Sequence, residues 1–527
     1  MSSLMAKKVA VLDLGTNSFH LLLARIDVEH ERVEIDRQAR VFVFLGEGME
    51  ATQPPSFSEA KMEQALSVLR SFWKEGEDYG AQVWLACGTE AFRRAANGAL
   101  FLSLIRQTLG LEVRILTGME EARLIYEGVR HGLRLPQEKH LVVDIGGGSV
   151  ELILAENNEI LHLTSLPLGV TRLKNQFPDE DPLSPSTIQQ IKAHIDQTLQ
   201  PYLESIRGIE VRYLIGSSGT FKTLGRLVAH HVDDAMGAQS IHGYRFAAAL
   251  FHPIYQKLTT LPLKQRLRLK GMQAERAPLI PYGAIVVERL LAHLPIQTIL
   301  ISGYALREGI LYDYARKLFQ GHDPEILPLR EASIQALAHR YQLSLRHAEI
   351  TRLWAEALFD HLAPLHRLSQ TEREWLSYAA FLHDIGHYIN PSGHHKHGQY
   401  IILHSPMPGF SSEELLLISN LVRYHRKSLP SSEHFHYAVL SKSQKKVIGY
   451  LAPLLRLADQ LAKYLQEPPG PLETSWNDEK VELVIPTTHA QAASHLPAIR
   501  AEVEDFFERG YNRRLLISFR WVPLPVS

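Results

Sequence analysis

Cysteine is almost missing from this chain. Its single Cys87 leaves no partner for an intramolecular disulfide, and the setting Val83-Trp84-Leu85-Ala86-Cys87 predicts a buried strand residue. Long apolar runs are also missing. None approaches the ~20 residues needed to cross a bilayer, and the apolar stretch after Lys7 and Lys8 meets Asp13 after four residues, too soon for a signal-peptide core. These absences predict a cytoplasmic protein with no membrane contact. Charge of one sign is lacking as well. Against 57 acidic residues stand 56 basic ones, a formal net charge of −1, so no global field attracts polyanions. DNA binding is not expected, and an anionic substrate must be held by a local site.

What is present is ordinary globular material, 45% hydrophobic and 21% charged over 527 residues. That is too long for one core, and a prior of one domain per 100–200 residues gives about three or four domains.

The first half carries a repeated pattern. Residues Val9 to Ala24 read as a buried strand, a tight polar turn (Gly15, Thr16, Asn17, Ser18) and a second strand. Residues His140 to Ala155 repeat it with the turn Gly146, Gly147, Gly148, Ser149; from Asp13 to Asp144 the displacement is 131 residues. Two similar α/β domains facing each other across a cleft would each contribute one turn, forming a phosphate clamp. Glycine admits a phosphate close to backbone N–H groups, hydroxyls add donors, and the strand-end aspartates Asp13 and Asp144 can hold a hard Mg²⁺ ion or its waters. Further strand-to-helix turns follow at Ala86–Arg93, at Ser217-Ser218-Gly219-Thr220 and at Ser302–Gly309. The first would set Arg93 beside a bound anion. Thr117 is placed to N-cap a helix with Glu120 and Glu121 in its first turn.

Taken together, DLGTNSFH, GTEAFR, TGMEEARLIY, DIGGGSVEL, SSGTFKTL, ERAPLIPYGA and SGYALREGILYD cover about the first 310 residues. As a set they resemble the exopolyphosphatase/guanosine pentaphosphate phosphatase family of the actin-like superfamily. The resemblance implies two ribonuclease-H-like halves followed by a helical domain, with a homodimer as the assembly. It implies that Glu121 is the base that activates water, that Asp144 and Glu151 bind Mg²⁺ (or Mn²⁺), and that Arg93 contacts phosphate.

From about Tyr312 helical periodicity takes over. His347 lies on the apolar stripe of Arg346–Leu362, His383 and Asp384 follow an apolar helix, and Asp459 is on the buried side of Leu451–Ala462, where a carboxylate needs a partner. This arrangement resembles the HD-type metal phosphohydrolase domain, in which His347, His383, Asp384 and Asp459 would ligate a transition metal. His397 and His425 are candidates for a second ion. The competing expectation is a metal-free domain that lends shape. The Pro-rich stretch Glu467–Pro471 reads as a linker.

The expected fold is therefore α/β plus all-α. Actin-like domains at 1–135 and 136–311 flank a cleft, and a helical HD-type domain at 312–466 precedes a small C-terminal α/β tail at 467–527. The expected activity is exopolyphosphatase, releasing orthophosphate from the end of inorganic polyphosphate. Its alternatives are a guanosine pentaphosphate 5'-phosphohydrolase and a polyphosphate- or alarmone-binding protein with an additional HD-type metal phosphohydrolase site. An actin-like kinase shares the turns but needs an acceptor. Lys264, Arg266, Arg268, Lys270 and Arg276 could supply a basic path for a polymer.

Overall fold

The computed structural model describes residues 6–29, 31–49, 53–232, 241–319, 329–405, 407, 410–488 and 492–521. The chain divides into two compact units, Met1–Leu329 and Arg330–Ser527.

In the first unit the repeated hairpin becomes two mixed sheets. Strands β1 (Ala6–Leu14), β2 (Ser18–Asp27), β3 (Arg32–Phe42), β4 (Val83–Gly88) and β5 (Val113–Ile115) lie in the order β3-β2-β1-β4-β5. Strands β6 (His140–Ile145), β7 (Val150–Glu156), β8 (Glu159–Leu166), β9 (Tyr213–Ser217), β10 (Arg245–Ala247) and β11 (Thr298–Ile301) lie in the order β10-β11-β9-β6-β7-β8. In each sheet the first three strands are antiparallel neighbours, and the first strand then pairs parallel with the fourth. Register matches too: Asp13 opposes His20 as Asp144 opposes Glu151.

Strand alternation sends side chains to separate cores. Ala10, Leu12 and Leu14 of β1 enter the core beneath the first sheet, and Leu141, Val143 and Ile145 of β6 enter that of the second. The other faces share a core, in which Val9 and Val11 meet Val142, Ile153 and Ile215. Helix α1 (Gly118–Gly132) is sandwiched there through Leu124, Ile125 and Val129, together with α2 (Leu306–Leu318) through Ile310 and Leu311. The two helices cross closely because Gly128 faces the carbonyl of Ala305 and Gly309 faces that of Leu124, positions where a Cβ would overlap backbone. The loss of glycine turns put the end of the second half at 311, but α2 runs on to Leu318 and packs on the first half's own helix.

The second unit is mainly helical. Its helices are α3 (Leu329–Arg340), α4 (Leu345–His366), α5 (Gln370–Leu382), α6 (His394–His404), α7 (Ser412–Tyr424) and α8 (Lys442–Leu465). Strands β12 (Glu473–Trp476), β13 (Lys480–Thr487) and β14 (Arg514–Trp521) form a sheet with α9 (Leu496–Tyr511) between the last two. The C-terminal α/β element does not make a core of its own: Val481, Ile485, Phe507 and Ile517 join the one that holds Trp354, Phe381 and Leu455 of the helices.

Candidate active site

The two polar turns face each other in the first unit. Thr171 donates to Asn17 Oδ1 at 2.6 Å and Arg172 reaches Glu90 at 3.0 Å, joining the halves across the cleft. Gly148 is seated against Glu90 where a Cβ would overlap the carboxylate, so glycine is what lets the second turn approach the first half. Between them lies a cavity of about 420 Å³. Its lining includes Gly15, Thr16, Asn17 and Ser18 from one turn, Gly146, Gly147, Gly148 and Ser149 from the other, and Ser218, Gly219 and Thr220 from a third. That third turn opens the helix Ser218–Val232, whose positive end favours an anion. Ser218 holds φ at +72°, a conformation a serine adopts at a cost, and its Oγ donates to the Ile145 carbonyl at 3.0 Å.

One wall of the cavity is acidic. Thr117 and Glu120 form a capping box at the start of α1, which occupies Glu120, and Glu121 turns inward to 6% exposure. Asp13 and Asp144 end the two equivalent strands and line the same space. Burial raises Asp13 to about 8, with repulsion from Glu121 adding to it. Burial also raises Asp144 to about 6 despite the hydrogen bond it accepts from Ser217 at 2.5 Å. Glu121 is pushed up by burial against the pull of Arg93. Glu151 is 1% exposed and sits one strand behind this lining, accepting from Ser165 at 2.8 Å; burial foremost, then Glu121 and Asp144, raise it well above the ordinary carboxylate range.

Arg93 is not on the cavity face. It approaches Glu121 from behind, its Nη1 2.9 Å from the carboxylate and 2.6 Å from the Leu116 carbonyl, and borders a neighbouring depression instead. The expected anion contact is therefore a contact to the carboxylate here.

A cationic wall adjoins it, and of its residues only Arg276 was singled out from the sequence. Lys222, Arg226, Arg276, Arg307 and Arg40 line it beside His20. Burial lowers Lys222 to about 8, with Arg307 adding to it, and lowers Arg276 to about 10. Lys222 lies one helical turn after Ser218, the spacing that would have marked it. Arg307 sits at the start of α2 and reaches His20 Nδ1 at 3.1 Å and Gln38 at 2.8 Å. Of the expected basic path, Arg276 belongs to the cavity. Arg266 does not: it is 4% exposed, tied to Asp181 at 2.8 Å and to the Ala277 and Leu261 carbonyls, because it closes a turn.

A cation suits the acidic wall on the chemistry of its donors. Carboxylates that raise one another by proximity offer hard oxygen ligands to Mg²⁺, which binds through one or two carboxylates and keeps several waters. Among the described residues, the clusters with three mutually close ligand atoms lie elsewhere, in the second unit. There His347, His383 and Asp459 form one group, and Asp384, His387 and His394 another. His425 lies 3.2 Å from His394, nitrogen to nitrogen. His397 is in neither group. The helix α6 brings its first residues, His394 and His395, into the core at 2% and 4% exposure, and His397 falls on a less buried side. His394 thus takes the place expected for His397.

Two halves built on one pattern bring glycine turns and a charged cavity around a common centre in a two-domain, mixed-sheet fold. The chain belongs to the Ppx/GppA phosphatase family: residues 26–318 match the family's model, and residues 329–499 match the model of Ppx/GppA phosphatase domain III. A guanosine-5'-triphosphate,3'-diphosphate pyrophosphatase of Aeromonas hydrophila is 33% identical over 522 residues, 96% of this chain and 98% of its own. The protein of the same name from Photobacterium profundum is 30% identical, over 90% of this chain and 91% of its own. An exopolyphosphatase structure from Cytophaga hutchinsonii aligns with a TM-score of 0.55 at 29% identity, covering 59% of this chain and 98% of that one. A family member from Aquifex aeolicus shares the fold, with a TM-score of 0.50 at 24% identity over 60% of this chain and 99% of its own. Among the described residues, no helix is long and apolar enough to cross a membrane.

Proposed function

We propose that the first unit hydrolyses the terminal phosphoanhydride of inorganic polyphosphate and releases orthophosphate. The observation that carries this reading is one cavity lined both by carboxylates (Asp13, Glu121, Asp144) and by cations (Lys222, Arg226, Arg276, Arg307), a combination suited to a metal-bound polyanion. Asp144 and Asp13 would hold Mg²⁺ or Mn²⁺, with Glu151 supporting from behind; the ion supplies charge neutralisation at the phosphate oxygens. Phosphoryl transfer needs mainly positioning and charge compensation. The three turns and the helix N-terminus at Ser218 orient the terminal phosphate. Glu121, held by Arg93, takes a proton from water as the water oxygen bonds to phosphorus, while the bridging oxygen leaves with the P–O electron pair and is received by the cationic wall.

A second reading has a specific observation behind it. The relatives that match almost the whole chain are named for guanosine-5'-triphosphate,3'-diphosphate, and the chemistry at a nucleotide's terminal phosphate is the same. Among the described lining residues the cavity's only aromatic ring is His20, which favours a substrate recognised by phosphate over one recognised by a base. Orthophosphate release measured side by side on polyphosphates of several lengths and on guanosine pentaphosphate tests the choice. A kcat/KM for the nucleotide ten times that for every polymer would reject polyphosphate as the principal substrate.

A further inference from the structure

We propose that the second unit binds a pair of divalent transition-metal ions bridged by Asp384. The two carboxylate oxygens of Asp384 face different groups. Oδ2 lies 3.3 Å from His383 Nε2 and 3.8 Å from His347 Nε2, and both of those nitrogens lie 3.4 Å from Asp459 Oδ1. Oδ1 lies 3.3, 3.4 and 3.9 Å from the Nε2 atoms of His387, His394 and His425. Ligands about 2.1 Å from a tetrahedral ion stand roughly 3.4 Å apart. Both groups have that spacing.

Ring orientation supports ions over hydrogen bonds. His383, His394 and His425 each place Nδ1 at 2.7, 3.0 and 2.6 Å from a backbone carbonyl, of Ala380, Pro391 and Val422. A carbonyl only accepts, so each Nδ1 carries a proton and each ring turns its Nε2 to the centre, where it can offer a lone pair to an ion. This is the outer contact that orients metal-bound imidazoles. The Nε2 atoms of His394 and His425 face each other at 3.2 Å inside the core, and His383 Nε2 is fully buried between Asp384 and Asp459. Ring nitrogens and carboxylate oxygens converging on one buried space need cations between them, metal ions or protons. The nitrogen and oxygen donors suit Mn²⁺, Fe²⁺ or Zn²⁺. His347 and His387 keep 29% and 44% of their side chains exposed, which leaves a solvent side where water or an oxyanion completes the coordination.

The rival occupant is the proton, with imidazolium rings donating to Asp384 and Asp459. Elemental analysis of the full chain separates the two. Protein stripped with chelator, reloaded with Mn²⁺ or Zn²⁺ in excess Mg²⁺ and desalted is expected to retain about two transition-metal ions per chain, with the Mn²⁺ form giving an exchange-coupled electron paramagnetic resonance signal. Asp384→Ala is expected to lose both ions and His387→Ala to lose one, while phosphate release in saturating Mg²⁺ stays at the wild-type rate. Should Asp384→Ala fail to fold, the half-exposed His387→Ala carries the comparison. Folded wild type holding neither metal, a single uncoupled ion, or an Asp384→Ala protein with undiminished content would each overturn the bridged pair.

Discussion

Arg93 and Glu121 form an ion pair from behind the cavity, one guanidinium nitrogen lying 2.9 Å from the carboxylate and 2.6 Å from the Leu116 carbonyl. The arginine thereby fixes the carboxylate and opposes the effect of burial on its proton affinity. Glu121 can serve as a base only when ionised, so activity falls as pH drops through its raised value. Arg93→Gln removes the opposing charge and lets burial raise Glu121 further. The acidic limb of the kcat/KM profile should then move to higher pH, read in saturating Mg²⁺; an unmoved limb would show that Arg93 does not set the proton affinity of Glu121.

Glu121→Gln keeps the size of the side chain and removes its basicity. Turnover should fall by roughly 10²-fold or more with KM little changed, the scale for losing a general base. Turnover within about three-fold of wild type would take Glu121 out of the mechanism.

Gly219 lies under the guanidinium of Arg276, where a Cβ would overlap it. Gly219→Ala must therefore displace Arg276 from the cationic wall. A charge-assisted hydrogen bond to phosphate is worth about 1.5–3 kcal/mol, so KM should rise about 10-fold or more in steady-state phosphate release. An unchanged KM would place Arg276 outside the substrate's reach.

The buried carboxylates also predict how stability depends on pH. Asp13 and Asp144 have folded values of about 8 and about 6, above those of an unfolded chain near 4. Below pH 4 both states are protonated and no difference arises. As pH rises the unfolded state releases protons first, so these groups destabilise the metal-free fold progressively up to about pH 8. A bound cation reverses this by favouring the ionised forms. The gain in melting temperature on adding Mg²⁺ should be larger at pH 8 than at pH 5, and Asp13→Asn should shrink that difference. Equal gains at both pH values would argue against a cation on this wall.

Much of this was readable from sequence because it is periodic or local. The 131-residue displacement from Asp13 to Asp144 foretells two sheets with the same strand order, and the strand equivalence holds down to His20 and Glu151. The glycine turns are local patterns, and the expected residues of the Gly15, Gly146 and Ser218 turns line the cavity, whereas Arg93 does not. What sequence did not reveal depends on long-range placement. Arg93 and Glu121 are 28 positions apart, and nothing local says that the arginine would be behind the carboxylate. Arg307 meets His20 across 287 positions. His394 and His397 occupy one histidine-rich helix start, and only the angle at which α6 enters the core decides which of them is buried.

The core shared by Val9, Val11, Val142 and Ile215, with α1 and α2 wedged inside it, means that the duplicated halves are not separable modules. Each presents one apolar sheet face to this common core, and α2 straps back onto the helix that carries Glu121. A break in the polypeptide between 135 and 136 should accordingly give two fragments that are each insoluble alone, yet recover phosphate release when synthesised together. The site's geometry is thus tied to an undivided hydrophobic base, and a large-to-small change there, such as Val142→Ala, should loosen both sheets at once.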